Sequence, residues 1–176
     1  MFALITGGSA GGKSEFAENL ALSVSTNKKR IYLATMIAFG EEGRYRVKRH
    51  KKLREGKGFL TVEAPTDFCG LTEDFPDCME YTVLLEDLSN LVANILFSGE
   101  EKSEDEFLDI IISNVELLAA NCQNLIVVTN NVFEDGIEYE EDTVLFMKVL
   151  ARANNILANK CDYFSEIVVG LENRIK

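Results

Sequence analysis

Near its amino end the chain reads Gly7-Gly8-Ser9-Ala10-Gly11-Gly12-Lys13-Ser14. This stretch fits the pattern G-x-x-x-x-G-K-[S/T], with an apolar run at residues 2–6 before it and helical spacing of apolar side chains at residues 14–24 after it. The glycines let the backbone curl so that successive N–H groups face one phosphate, and the following helix adds its positive N-terminal end. Strand, loop and helix together predict a P-loop that holds the phosphates of a nucleotide.

Strand and helix patterns alternate along the rest of the chain. Short apolar runs predict strands at residues 31–34, 59–62, 82–85, 125–129 and 167–169, and helical spacing predicts helices at residues 44–54, 88–97 and 141–159. Ser103 and Glu106 fit a capping box, which predicts a helix from there to about Asn121. The connections suit crossover helices and are too long for hairpins. We therefore expect one α/β domain over residues 1–176, a three-layer, RecA-like P-loop NTPase fold with a mainly parallel sheet.

Three residues predict the chemistry of the phosphate site. Lys13 supplies a mobile positive charge for the β- and γ-phosphates, which makes it a candidate catalytic residue, and the Ser14 hydroxyl can coordinate Mg²⁺. A second metal ligand is expected after a neighbouring strand, and Glu86, which follows residues 82–85, is preferred to Asp87. The alternative for either acid is a helix N-terminal position favoured by the helix dipole.

The charge distribution argues for a small anionic ligand. The chain has 18 Lys/Arg and 29 Asp/Glu, a net charge of −11, which argues against a nucleic-acid-binding protein. Residues 1–57 nevertheless hold 12 of the basic residues and only five acids. Such a field concentrates a polyanion at one place. Because we find no apolar run of about 20 residues and no signal-peptide pattern, we expect a cytoplasmic protein without a membrane span.

The single histidine lies in this basic region. Residues 44–54 carry seven Lys/Arg around His50, and in a helix Arg46, His50 and Arg54 would share one stripe. Such a stripe can hold phosphate oxygens at two points, and nearby cations favour the neutral, nucleophilic imidazole between them. The alternative is a solvated basic helix with an idle histidine, and the residues alone leave both open.

The chain resembles a known family, the bifunctional adenosylcobinamide kinase / adenosylcobinamide-phosphate guanylyltransferase of cobalamin biosynthesis. The resemblance spans nearly the whole chain. Its most specific element is Arg46-Val47-x-x-His50-x-x-x-Arg54, which matches the family's R-I-x-x-H-x-x-x-R. It also includes the P-loop, Tyr32-Leu33-Ala34-Thr35, Leu84-Leu85-Glu86 and Val128-Thr129-Asn130. The chain departs from the family at Ala10, where an arginine is usual, at Gly11, where a serine is usual, and in the segment after Asn130.

The resemblance implies two reactions in one site: transfer of a nucleoside triphosphate's terminal phosphate to adenosylcobinamide, and transfer of GMP from GTP to the resulting phosphate. The second would pass through a guanylyl group on His50, the expected nucleophile. Mg²⁺ would be the cofactor, GTP or ATP the donor, and a homotrimer the assembly. Besides the P-loop residues quoted above, the nucleotide-binding residues expected are Thr35, Arg46, Lys51, Lys52, Leu53, Arg54, Glu63 and Glu86.

Two other functions stay open. One is a small-molecule P-loop kinase in which the basic helix serves only as a phosphate clamp. The other is a non-catalytic GTP-binding protein whose altered loops serve a partner.

In the guanylyltransferase interpretation Glu63 would accept hydrogen bonds from guanine N–H groups, a donor pattern that adenine lacks.

Overall fold

Seven strands form one sheet within the part of the chain that the structure, a computed structural model, describes: residues 1–38, 40–75, 77–131 and 139–176, without the side chains of residues 42, 46, 53, 72 and 73. The sheet order is β3-β2-β4-β5-β1-β6-β7, and all neighbours are parallel except β6 and β7. The strands are β1 Phe2–Gly7, β2 Arg30–Ala34, β3 Leu60–Glu63, β4 Thr82–Glu86, β5 Asn124–Val128, β6 Tyr163–Val168 and β7 Leu171–Arg174.

Helices cover both faces of the sheet. They are α1 Lys13–Val24, α2 Gly40–Leu53, α3 Cys69–Asp74, α4 Leu88–Leu96, α5 Glu104–Asn121 and α6 Glu141–Lys160, with a 3₁₀ turn at Cys78–Glu80. On one face, Ala17 and Ala21 of α1 pack against Ile5, Tyr32 and Leu84. On the other face α3, α4, α5 and α6 enclose the larger core. Because both faces are buried, the central strands read as continuous apolar runs, as parallel sheets require.

The predicted three-layer α/β arrangement is confirmed, and so is the capping box. Ser103 caps α5, its hydroxyl accepts from the Glu106 N–H, and the Glu106 carboxylate accepts from the Ser103 N–H at 2.8 Å. None of the helices described is long and apolar enough to cross a bilayer.

The carboxyl end of the chain differs from the prediction. The last strand was expected at residues 167–169, but β6 runs over Tyr163–Val168 and pairs antiparallel with β7 through a hairpin, with Val168 opposite Leu171. The expectation that no connection is a hairpin is wrong here. The two turn residues, Val169 and Gly170, both have positive φ angles, 46° and 82°. Asn-Gly is the usual sequence for such a turn, so the Val-Gly pair did not indicate a hairpin in the sequence.

Candidate functional site

The predicted P-loop forms the turn between β1 and α1. A Cβ added at Gly7 would lie 2.3 Å from the Ile167 carbonyl oxygen, so only glycine fits at this close approach to β6. Gly11 donates its N–H to the Gly8 carbonyl at 3.2 Å, and Gly12, with φ 93°, leads directly into α1. The loop is therefore a tight curl at the carboxyl edge of the sheet, directly before a helix N-terminus, as a phosphate site requires.

Lys13 lies within this curl. Its ammonium group is buried and donates to the Gly8 carbonyl at 2.6 Å. Burial lowers its pKa, and the carboxylates of Asp87 and Glu86 oppose that effect. The side chain thus bonds to the loop's own carbonyl, beside the N–H groups that would surround a phosphate.

Ser14 and Glu86 meet across the sheet edge, although 72 residues separate them. The Ser14 hydroxyl donates to Glu86 Oε1 at 2.5 Å, and the buried Glu86 Oε2 has no hydrogen-bond partner among the described residues. Burial raises the pKa of Glu86 to about 8, with repulsion from Asp87 adding to it, while the Ser14 hydrogen bond and Lys13 act the other way. An uncompensated buried carboxyl oxygen beside a hydroxyl is a hard-oxygen pair that fits Mg²⁺.

The structure separates the roles of the two neighbouring acids. Asp87 caps α4: its Oδ1 accepts from the Asn90 N–H and the Ser89 hydroxyl, both at 2.8 Å, and its Oδ2 accepts from Asn130 at 3.1 Å. Asp87 therefore matches the helix-N-terminus alternative, and Glu86 is the acid that faces Ser14. No group of three or more His, Cys, Asp or Glu side chains in the described ranges could hold a metal alone. A Mg²⁺ ion here would need phosphate oxygens or water to complete its shell.

Thr35 lies beneath this centre and not on its surface. Its fully buried hydroxyl donates to the Asp87 carbonyl and accepts from the Asp87 N–H, each at 2.8 Å, and its own carbonyl accepts from Asn94. Its N–H donates to the Glu86 carbonyl at 3.2 Å. Thr35 thus positions the turn that carries Glu86 and Asp87. The nucleotide contact expected of it has no free polar atom in this conformation and stays a prediction.

His50, near the end of α2, is half-buried, and its Nδ1 is buried with no hydrogen-bond partner in the described part of the chain. Burial is the main cause that lowers its pKa, followed by the positive charges of Arg54 and Arg49. The carboxylates of Glu18 and Asp87 oppose this shift. The neutral imidazole is therefore favoured, as the neighbouring cations led us to expect. Burial lowers the pKa more than the cations do, and the sequence did not reveal this burial.

Arg54, which was expected to contact phosphate, is buried in this structure, and that contact stays a prediction. Its guanidinium lies 3.4 Å from the ring centroid of Tyr32, donates to the Thr61 hydroxyl at 3.4 Å and is buried. The chain leaves α2 just before Arg54, which turns the side chain under the helix onto β2 and β3. One buried nitrogen, Nη1, has no partner among the described residues. The side chains of Arg46 and Leu53 lie outside the described part, so their predicted contacts stay predictions.

The remaining predicted residues lie at the exposed edge of the sheet. Lys51 and Lys52 are exposed, and Lys51 forms an ion pair of 3.5 Å with Glu63, the last residue of edge strand β3. Ala34 of β2 pairs with both Glu63 and Glu86, so the two acids lie in one row, two strand spacings, roughly 10 Å, apart. The site thus has two parts, a P-loop centre and a separate region formed by α2 and the end of β3.

Sequence reasoning missed a buried ion pair between these two parts. Glu18 of α1 is nearly inaccessible and pairs with Lys57, which follows α2. It also gave no role to Asn130, whose amide donates to Ser89 at 2.6 Å as well as to Asp87. A glutamate on the buried face of an amphipathic helix was the available signal for Glu18. For Asn130 it was a polar residue two positions after β5, whose residues 125–128 are all apolar and buried.

Comparisons with known proteins identify the relatives of this chain. A family model described as "Cobinamide kinase / cobinamide phosphate guanyltransferase" matches residues 3–175. The "Bifunctional adenosylcobalamin biosynthesis protein CobU" of Escherichia coli (strain K12) is 28% identical over the full length of both chains, and the protein of the same name from Salmonella typhimurium is 29% identical, also over both full lengths.

Among solved structures, the "ATPase Domain of G40P" is similar with a TM-score of 0.55 and 13% identity, covering 94% of this chain and 68% of that one. This similarity concerns the fold alone and agrees with the predicted RecA-like P-loop NTPase class. Together with the full-length family match it leaves one assignment: the chain belongs to the cobinamide kinase / cobinamide phosphate guanyltransferase family, a family of nucleotide-using transferases.

Proposed function

We propose that this chain catalyses both family reactions: phosphoryl transfer from a nucleoside triphosphate to adenosylcobinamide, and GMP transfer from GTP to adenosylcobinamide phosphate through a guanylyl group on His50. The observation that carries the proposal is the coexistence of two centres. One is the Lys13, Ser14 and Glu86 cluster at the P-loop, and the other is a half-buried imidazole with a lowered pKa on a basic helix.

In the phosphoryl transfer, the P-loop N–H groups and Lys13 hold the triphosphate and compensate the charge that develops on it. Ser14 and Glu86 would hold Mg²⁺, which would supply positive charge to offset the charge on the phosphate oxygens. The acceptor hydroxyl oxygen forms a bond to the γ-phosphorus, the bond from that phosphorus to the β–γ bridging oxygen breaks, and the hydroxyl proton goes to solvent or base. The nucleoside diphosphate is the leaving group.

In the guanylyl transfer, a neutral ring nitrogen of His50 attacks the α-phosphorus of GTP, and pyrophosphate leaves with the electron pair of the broken P–O bond. A phosphate oxygen of adenosylcobinamide phosphate then displaces the imidazole, which restores the enzyme. The lowered pKa of His50 supports this role because only the unprotonated nitrogen has a free electron pair.

The two reactions place different demands on the nucleotide. His50 has to reach the α-phosphorus of GTP in the guanylyl transfer, whereas Lys13 serves the β- and γ-phosphates in the phosphoryl transfer. GTP would therefore bind in different positions in the two steps, or α2 would move toward the P-loop on binding. The ion pair of Glu18 and Lys57 joins α1 to the segment after α2 and limits how α2 can move.

The test compares His50→Ala with Lys13→Ala, using GTP labelled on the α- or the γ-phosphate. His50→Ala should abolish the acid-labile, alkali-stable protein adduct from α-labelled GTP and leave γ-phosphate transfer to adenosylcobinamide largely intact. Lys13→Ala should weaken nucleotide binding at least tenfold, because it removes a charge-assisted contact worth roughly 1.5–3 kcal/mol. Lys160→Ala, at an exposed ion pair on α6, is the matched control.

Two results would redirect the proposal. If the wild-type protein never forms a label-bearing adduct, the basic helix is at most a phosphate clamp for a small-molecule kinase. If it binds nucleotide but transfers neither group to any acceptor, the non-catalytic alternative replaces both. The homotrimer implied by the resemblance is also a proposal, and light scattering measures it directly.

A further inference from the structure

The turn of the β6–β7 hairpin lies directly against the P-loop. The Gly170 N–H donates to the Gly11 carbonyl at 2.9 Å, and a Cβ added at Gly12 would lie 3.2 Å from the Gly170 Cα. Gly12 is the residue before Lys13. This contact fixes the turn beside the end of the loop where α1 begins.

The turn presents two apolar side chains that are largely exposed to solvent. Val169, at its tip, is 84% exposed, and Leu171, on the next strand, is 72% exposed. They stand at the carboxyl edge of the sheet, where the phosphate loop also opens, so their exposure places an apolar surface next to a site for a charged ligand.

Val169 is also held in an unfavourable conformation. Its φ of 46° lies in the left-handed region, where a β-branched residue is a rare outlier, and asparagine is favoured at this position of a two-residue hairpin. Because Val169 is strained and almost fully exposed, it neither packs against the core nor favours the turn conformation. Strain that the fold itself does not use points to a ligand.

The direction of a bound nucleotide identifies that ligand. Ser14 and Glu86 place the metal-binding, β/γ-phosphate end on the β4 side of β1, whereas β6 and β7 lie on its other side. The backbone N–H groups of such loops hold the α- and β-phosphates, so the α-phosphate and the nucleoside lie on the side away from the metal. The nucleoside must therefore leave the loop away from β4, on the side where the turn of β6 and β7 stands.

We infer that Val169, with Leu171 beside it, is the surface on which the base and ribose of the P-loop-bound nucleotide pack. This inference rests on the proposed function only in that the P-loop holds a nucleoside triphosphate whose metal-bound end lies at Ser14 and Glu86. It assigns the P-loop nucleotide a nucleoside contact of its own, separate from the Glu63 region proposed for guanine in the guanylyl transfer.

The experiment measures binding of MgATP and of magnesium tripolyphosphate, which lacks the nucleoside, by calorimetry. Val169→Asn should weaken MgATP binding by roughly three- to tenfold, the factor for losing part of a valine's apolar burial, and leave tripolyphosphate binding unchanged. Its melting temperature should stay equal or rise, because asparagine accepts the left-handed conformation. Val169→Met, which keeps an apolar side chain, should retain MgATP affinity within about twofold.

Ile175→Asn is the matched control, an exposed apolar residue at the opposite end of the same hairpin, and it should change neither affinity. Unchanged MgATP binding by Val169→Asn overturns the inference. So does an equal loss for both ligands, which would mean that the turn only shapes the loop. A change in molar mass together with the affinity loss also overturns it, because the tip would then cover a second copy. All of these readouts hold whether or not the protein acts on a corrinoid.

Discussion

Lys57→Met tests the buried ion pair that joins α1 to the segment after α2. The change keeps an unbranched apolar side chain of similar length and removes only the ammonium group that pairs with Glu18. The Glu18 carboxylate would then be buried without its counter-charge, since its side chain is 2% exposed.

The magnitude follows from the unequal burial of the two partners. Breaking a fully buried pair costs about 3–5 kcal/mol, and exposed pairs contribute about 0–1 kcal/mol. Because Lys57 is 27% exposed, we expect Lys57→Met to lower the free energy of unfolding by roughly 2–3 kcal/mol. For a chain of this size that is a fall in melting temperature of roughly 4–12 °C.

The assay is thermal and urea unfolding of a set of four variants. Glu18→Gln should cost less than Lys57→Met, because the partly exposed Lys57 can turn to water. The double variant should recover most of the loss, since it buries no charge. Lys160→Met breaks an ion pair with Glu116 whose side chains are about half exposed, 49% and 48%, and should cost at most about 1 kcal/mol.

The reasoning fails if Lys57→Met is no more destabilising than Lys160→Met. It also fails if the double variant is as unstable as Lys57→Met, because the loss would then come from packing and not from an unpaired charge. A change in the urea m-value would show that the variants differ in more than folding free energy.

The pH midpoint for the rate of His50 adduct formation should lie below 6.5, since the lowered pKa of His50 favours the neutral imidazole; a midpoint at or above 6.5 in the initial rates would contradict this. Because the pKa of His50 is lowered in the folded state, its stabilising contribution is fully present above pH 6.5 and is lost as the pH falls through the lowered pKa. Urea unfolding midpoints measured between pH 5 and 8 would detect this loss. Thr35→Val leaves the partly buried Asp87 N–H without its acceptor and should destabilise by about 1–3 kcal/mol in urea unfolding; a neutral substitution would mean that water replaces the hydroxyl. Ser103→Ala removes the capping box with Glu106 and should cost about 1 kcal/mol in the same assay, with no effect on nucleotide binding.

Local sequence patterns were sufficient for the P-loop, the α/β class and the ends of several helices. The reason is that these features depend on neighbours within a few residues: glycines that allow one curl, apolar spacing of one helical face, and Ser103 with Glu106 three positions on. The choice of Glu86 as the metal acid also followed from a local rule, since a carboxylate that ends a buried strand lies at the carboxyl edge of a parallel sheet.

The arrangement of the site depended on contacts between distant parts of the chain. Ser14 meets Glu86 across 72 residues, and Thr35 is withdrawn from the surface because strand pairing places it beside Asp87. Arg54 lies under α2 against the ring face of Tyr32, and the Val-Gly turn belongs to a hairpin that β6 and β7 form by pairing and that Gly170 attaches to the P-loop. Spacing along a helix or strand shows which residues share a face. Only packing decides what that face meets, and therefore which polar atoms remain available for a ligand.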